Sequence, residues 1–590
     1  MNPNAPFREV ARLEDFGESP FKVVQGGDRP ILLIRETADR VRAVDNRCPH
    51  MGFPLDKGTI KDGVLVCHWH HARFDPASGC AFDLFADDIP AYDTRVENGA
   101  VLVASAPRNR PSTAYYFRRL RQGLEQNISI IQYKSVAGLL EAGAAAHATV
   151  REAARFGSRN HDKWSDGMTY LAMALNLQPW LQADTQVLAL CKAIRQVALN
   201  CDGQPARRDR NALSGADASP ERLERWFRRW SLSRHRDGAE RVLLTAASQR
   251  GKPARRLSDF LFGALSDRVY ADSGHSYDFA NKLLELLEEL GDDEAETLLP
   301  LIVRNVVEAI GEEDKGGWRS PVDLIPLARA AEERLAEIWP RRPTEPAPVP
   351  PDFRAAALGE DPKALLDRLL ESVEGGCPPA DLAREIAFAA AQRLAWFPES
   401  NDIADWFDPV HSFNFANAAQ VALSRRESLQ TARGLVHAAL SVYQDRFLNI
   451  PKARLPDPSA ETVAQWGRVE DPKKALLELV DRKQPWRVFA EAAVARFRAS
   501  GDLAESVDCL AAAILREDVD FHKLQALEAA ARQARLWGSS AEAEIILAGV
   551  ARHTAAHAPT PRGVCKMVQI ARRLQRGETL HDAEDPEPAV

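Results

Sequence analysis

The chain has little that would tie it to a membrane or to nucleic acid. None of its 590 residues fall in a run approaching the roughly 18 consecutive apolar residues that a spanning helix needs. The opening MNPNAPFREVARLEDF has no charged region followed by an apolar core, so no secretory leader is expected. Lysine and arginine number 76 against 84 aspartates and glutamates, a net charge of −8, so no overall field favours phosphate or anionic lipid. Two stretches, ERLERWFRRWSLSRHR (221–236) and RGKPARR (250–256), are basic, and they read as solvated faces of amphipathic helices. Nucleic acid and membrane are therefore not expected as partners. The eight cysteines are scattered, which excludes a dense disulfide framework and suits a reducing cytoplasm. No glycine-rich phosphate loop follows a strand, so a built-in nucleotide or flavin site is not supported.

The chain is also too long for one core, and its two parts have different hydrophobic periods. Residues 1 to about 105 carry short β-branched runs: FKVV (22–25), ILLIRE (31–36), VRAVD (41–45), GVLVC (63–67) and VLVA (101–104). Turn material separates them at Gly26-Gly27-Asp28, Lys61-Asp62-Gly63 and Glu97-Asn98-Gly99, the last a hairpin signal because both central residues tolerate positive φ. From Ser112 onward apolar residues recur at three and four, as in LLELLEEL (283–290) and REIAFAAAQRLAWF (384–397), and strand signals nearly vanish. The fold class expected is an all-β N-terminal domain followed by a large all-α repeat domain, an α-solenoid or α-α array. The domains are set at 1–105, 112–338 and 353–573, with a proline-rich linker at 339–352 and a disordered tail at 574–590.

The helical part repeats itself. HSYDFAN (275–281) and HSFNFAN (411–417) agree at five of seven positions. DPKALL (361–366) and DPKKALL (471–477) also match, offset by 110 residues, and His522 in VDFHKLQALEAA follows His411 at nearly that offset. Modules of about four helices beginning near 219, 361 and 471 fit these matches, with a more degenerate copy opening at His161.

The densest chemistry lies at residues 48–71, CPHMGFPLDKGTIKDGVLVCHWHH. Its spacing, Cys48-x-His50, sixteen residues, then Cys67-x-x-His70, suits a [2Fe–2S] unit with two thiolates on one iron and two neutral imidazoles on the other. Imidazoles in place of thiolates remove negative charge and raise the potential to about −150 to +300 mV. A zinc site of the Cys2His2 kind is the alternative, but zinc modules usually space the first pair by two to four residues and group their histidines. In a locally extended loop His68 and His70 face the same way, and spacing alone selects between them.

The pattern closely resembles the Rieske iron–sulfur domain over residues 1 to about 105. By that resemblance Cys48, His50, Cys67 and His70 ligate the cluster. Phe53 and Ala72 stand where respiratory Rieske domains carry extra cysteines, so the resemblance is to the ferredoxin and oxygenase branch. There the second loop usually reads Cys-Pro-x-His-Gly; here His68 replaces the proline and His71 the glycine.

A Rieske domain moves single electrons, so an acceptor is expected in the helical part, with a separate reductase or ferredoxin as donor. Oxygenases of this branch use a non-haem iron held by two histidines and a carboxylate. Asp408-Pro-Val-His411 partly echoes their motif, but Ala404 stands where a further ligand belongs, and no histidine follows at four or five residues. A second site is instead expected from His161, His275, His411 and His437, with Asp166, Asp278 or Asp408 supplying the carboxylate. The function expected is O₂-dependent oxidation of a small organic molecule. The alternative is a redox-sensing or electron-carrier module on a helical protein-binding scaffold. Cys191 and Cys201 lack metal spacing and read as core thiols.

Overall fold

The computed structural model describes residues 6–26, 29–215, 218–249, 253–578 and 580. Parts of the expected turn at 26–28, of the basic stretch 250–256 and of the tail from 574 lie outside the described residues. The chain divides into two compact units, one built from residues up to Glu152 together with those from Val564 onward, the other running from Ala153 to Gly563.

Among the described residues of the first unit, nine strands form two antiparallel sheets, the larger holding β1 (Phe7–Arg12), β2 (Phe21–Gln25), β3 (Pro30–Arg35), β4 (Val41–Asp45), β8 (Ala91–Glu97) and β9 (Ala100–Pro107). The larger has the order β1-β9-β8-β4-β3-β2; the smaller joins β5 (Thr59–Lys61), β6 (Val64–Val66) and β7 (Arg73–Phe74). The β8–β9 turn uses Asn98 and Gly99 at φ 50° and 80°, and Asp62–Gly63 repeats the device at 52° and 77°. The β structure ends two residues past the expected boundary, but the unit does not end there. Helices α1 (Thr113–Glu125) and α2 (Ser129–Glu141) belong to it, as does the body of the helix Gly563–Gln575. Charge pairing holds them: Arg119 of α1 and Lys134 of α2 both reach Asp87, each at 3.0 Å. Arg119 also donates to the carbonyls of Leu84 and Ala86.

The second unit is helical among its described residues, and the proline-rich segment 339–352 lies inside it rather than between two helical halves. The Ala347 amide donates to the Gly376 carbonyl at 3.0 Å, tying that segment to the body. Four helices pack as a ring: α3 (Asp166–Leu177) against α4 (His275–Leu290), α4 against α5 (Phe407–Arg425), α5 against α6 (Phe521–Trp537), and α6 against α3. The matched sequences occupy matched helix positions. Asp361 and Asp471 each cap a helix whose first residue is proline.

The ring has a polar interior written in one register. His275, Asp278 and Asn281 on α4 correspond to His411, Asn414 and Asn417 on α5, and to His522, Gln525 and Glu528 on α6. Positions i, i+3 and i+6 share one helix face, and the six residues below the histidines are all buried. Contacts join equal levels: Gln525 donates to Asp278, and Lys282 pairs with Glu528 and, at 3.0 Å, with Glu285. Asn176 of α3 donates to Glu285 at 2.7 Å and to Glu528 at 3.1 Å. Level-by-level contact means that the four helices run in the same direction, with their N-termini at the histidine end.

Lys282 is fully buried between two carboxylates. Lys282→Met removes the buried cation between Glu285 and Glu528 and leaves them only the part-exposed Arg532, at 3.1 and 3.5 Å, and is expected to destabilise the helical unit by about 3–5 kcal/mol in denaturant titration. A loss below about 1 kcal/mol, the scale of an exposed pair, would contradict this account of the core.

Candidate metal centres

The first centre lies between the β4–β5 and β6–β7 loops. The Cys48 amide donates to Phe53 O at 2.8 Å and the Gly52 amide to Cys48 O at 2.8 Å, closing the first loop. Gly52 sits at φ 82°, and a β-carbon there would lie 3.2 Å from Leu574 of the C-terminal helix. The second loop closes through the Cys67 amide on Ala72 O at 2.9 Å. Both thiols are buried, at 2% and 1% exposure, and lie close enough for the charge on one to affect the other. The backbone N–H groups of Trp69 and His70 point at Cys67 Sγ, and that of His50 at Cys48 Sγ.

Beyond the thiols, the His50 and His70 rings meet edge to face, 4.8 Å between centroids. His50 Nδ1 is buried with no hydrogen-bond partner. Two thiols side by side, two imidazoles side by side and an orphaned ring nitrogen fit a cluster with sulfur ligands on one iron and nitrogen ligands on the other. No single-residue zinc pattern is needed to explain them. His68 and His71 are both exposed; His68 Nε2 lies 3.4 Å from Thr59 Oγ1. His71 takes φ 59°, so the left-handed turn that a glycine would make is kept without one, at roughly 1–2 kcal/mol of backbone strain.

A buried cation adjoins this centre. Lys134 Nζ donates to the carbonyl of Pro49, between Cys48 and His50, while pairing with Asp87. Burial opposes ionisation of Asp87, but Lys134 and Arg119 hold its carboxyl below the usual range.

Fold and site together define an iron–sulfur electron-transfer domain. Residues 7–92 match the family model described as Rieske [2Fe-2S] domain, and this part of the chain is a Rieske domain that binds a [2Fe–2S] cluster. The ferredoxin component of an alkene monooxygenase system from Xanthobacter autotrophicus is 28% identical over 116 residues, which are 18% of this chain and 94% of that protein. The 4beta-methylsterol monooxygenase of Methylococcus capsulatus is 39% identical over 73 residues, 12% of this chain and 17% of its own length. Among solved structures, the ferredoxin of carbazole 1,9a-dioxygenase from Nocardioides aromaticivorans is 27% identical, with 17% of this chain and 96% of that one covered and a TM-score of 0.15. The chain thus spans nearly all of a small ferredoxin but under a fifth of the sterol monooxygenase. Relationship to Rieske components of oxygenase systems supports an electron-transfer role for the first unit.

The second centre lies in the helical unit, at the N-terminal end of the ring. His275, His411 and His522 bring one ring nitrogen each within 4.8 Å of the others. His522 Nε2 stands 3.1 Å from His411 Nε2 and 3.5 Å from His275 Nε2. Nitrogens bound about 2.1 Å from a shared ion stand about 3.0–3.4 Å apart in octahedral or tetrahedral geometry, so the spacing suits a metal. Burial, then neighbouring imidazoles, lowers His275 to about 4 and His411 to about 2, leaving neutral rings with lone pairs to offer. Asp520 caps α6 and accepts from His522 Nδ1 at 2.9 Å, which aims Nε2 at the other two rings.

The segment leading into His275 is strained. Tyr270, Asp272 and Ser273 take φ of 47°, 52° and 55° before Gly274 at 90°. Asp272 holds the turn: its amide donates to Ile310 O at 2.8 Å, and its carboxylate accepts from the Ile310 amide at 3.0 Å and from Ser276 Oγ.

Of the four histidines expected at a second site, His275 and His411 meet and the other two do not. His161 folds back on its own turn, with Nδ1 2.7 Å from Lys163 O. His437 turns away from His411: its Nε2 is 3.1 Å from Glu332, and its Nδ1 accepts from the Tyr270 amide at 3.4 Å. Its place in the next helix was a weaker guide than the repeat, which marked His522. Of the carboxylates, Asp278 binds Gln525 one turn below, Asp166 lies near His522, and Asp408 lines a cavity with His411. Cys191 and Cys201 are buried in a helix, as expected of core thiols.

Two measurements test the first centre. Lys134→Met, by removing a buried positive charge beside the cluster, should lower its midpoint potential on the order of tens of millivolts in film voltammetry; an unchanged potential contradicts the role given to Lys134. His71→Gly should raise the stability of the first unit by about 1 kcal/mol in thermal unfolding, whereas a loss would show the strain to be absent.

Proposed function

We propose that the chain is an oxidoreductase in which the Rieske cluster supplies single electrons to a metal ion held by His275, His411 and His522, for O₂-dependent oxidation of a small organic molecule. The observation that carries this reading is the convergence of three imidazoles beside a cavity of about 330 Å³ that His411 itself lines. A non-haem iron would supply O₂ binding and one-electron chemistry there. The protein's own residues orient and shield: Asp520 fixes the tautomer of His522, the strained turn at 270–274 sets the start of α4, and the polar layer below the triad anchors the helices. Three protein ligands leave coordination positions free, as a reacting centre requires and a closed structural site does not.

Electrons would come from a separate reductase or ferredoxin. That related Rieske components belong to oxygenase systems supports the assignment of class. A cytoplasmic location is part of the proposal; among the described residues no helix is long and apolar enough to cross a membrane.

Metal analysis separates this from a carrier on a helical scaffold. The reading expects about three iron atoms per chain, two from the cluster and one from the triad. The double variant His275→Ala/His522→Ala should fall to about two while keeping the EPR signal of the reduced cluster. Iron at two per chain in the unaltered protein, or an unchanged iron content in the variant, rejects the triad as an iron site.

A further inference from the structure

We infer that the cavity beside His411 takes an organic cation, a protonated or quaternary amine whose carbon body fills the space. The inference rests on reading the triad as the reacting centre and names the class of molecule presented to it.

The cavity, of about 330 Å³, is at the small end of ligand pockets. Its wall holds three carboxyl groups, Glu312, Asp408 and Asp445, and no lysine or arginine. Glu312 has a cation of its own, Lys315 at 3.3 Å. Asp408 lies in the first turn of α5, where the helix dipole favours a negative charge. Asp445 has no such support. It is 5% exposed, and its Oδ2 has no hydrogen-bond partner. It caps the C-terminal end of the helix Leu429–Gln444, so its charge adds to the negative pole of that helix.

The cations nearest Asp445 are engaged elsewhere. Arg446, the next residue, lays its guanidinium over the rings of Tyr443 and Phe447 and donates to Tyr443 O. Arg393, which also acts on Asp445, donates to Leu358 O and Asn449 Oδ1. Burial and the nearby charge of Asp408 push the Asp445 carboxyl up to about 8, although Ser412 donates to it. A buried carboxylate with an open oxygen and no cation is costly, and an incoming positive charge removes that cost.

The rest of the wall suits the same guest. Tyr270 and Trp318 stack, with centroids 4.9 Å apart and planes 22° apart, and both are nearly buried. Aromatic faces beside carboxylates attract ammonium groups while tolerating their methyl or methylene surface. An anion would meet three acids with no basic partner on the wall, whereas a cation favours the ionised form of Asp445, which a neutral guest leaves protonated. His437 props this wall from behind through the Tyr270 amide, which gives that histidine a task away from the metal.

Choline and its neutral isostere 3,3-dimethylbutan-1-ol, titrated calorimetrically into the full-length protein, test the inference. Choline should bind at least about tenfold more tightly than the alcohol. Asp445→Asn should weaken choline about tenfold and leave the alcohol unchanged. Asp408→Asn, with correct folding of both variants checked by circular dichroism, repeats the measurement at a second acid. Equal affinity for the two probes, no binding of choline, or variants that weaken both probes alike overturns the inference. Iron content is measured on the same samples. Choline binding without iron at the triad then rejects the proposed function alone, and iron without choline binding rejects the cation site alone.

Discussion

Three imidazoles can share one buried place only if none carries a proton too many, and much of the helical unit follows from that constraint. Burial keeps His275 and His411 neutral at ordinary pH. Bringing the rings to one level, each near the start of its helix, forces α4, α5 and α6 to run in the same direction. Parallel neighbours cannot be joined by short turns, so each pass through the ring is followed by a long return through other helices. The spacing of more than a hundred residues between successive histidines is therefore a topological need rather than loose repetition. The same convergence gathers several helix N-termini at one end, and the acids there, Asp166, Asp408 and Asp520, offset the positive poles.

Both centres keep backbone strain next to a histidine. His71 bends through a left-handed conformation just after His70, and residues 270–274 do so just before His275. In each case hydrogen bonds hold the geometry: the Cys67 amide on Ala72 in one, the carboxylate and amide of Asp272 in the other. Histidines held this rigidly would resist moving if the charge on a bound metal changed, a property that suits electron transfer.

The β domain and the convergence of Cys48, His50, Cys67 and His70 were legible in the sequence because their signals are local. Alternation, turn residues and a two-part motif all lie between residues 22 and 104. The helical site was half legible. His275 and His411 share a recognisable heptapeptide, whereas His522 keeps only the register: a histidine, then polar residues at i+3 and i+6. Periodicity of polar residues inside an otherwise apolar helix was the signal that would have added it. His437 misled because proximity along neighbouring helices says nothing of which face a side chain occupies. The domain boundary was not legible, since Lys134 and Arg119 look like ordinary surface charges until Asp87 is seen between them.

The return of the C-terminal helix to the β domain has its own consequence. Arg47 Nη1 donates to the carbonyl of Glu578 at 2.8 Å, a contact spanning 531 residues of chain. Leu574, on the same segment, packs against Gly52 in the first cluster loop. During synthesis that loop therefore stays uncovered while all of the helical unit is being made. The order of the chain leaves a long interval in which iron and sulfide can be delivered to the loop, and this cover closes only once the helix Gly563–Gln575 has been made.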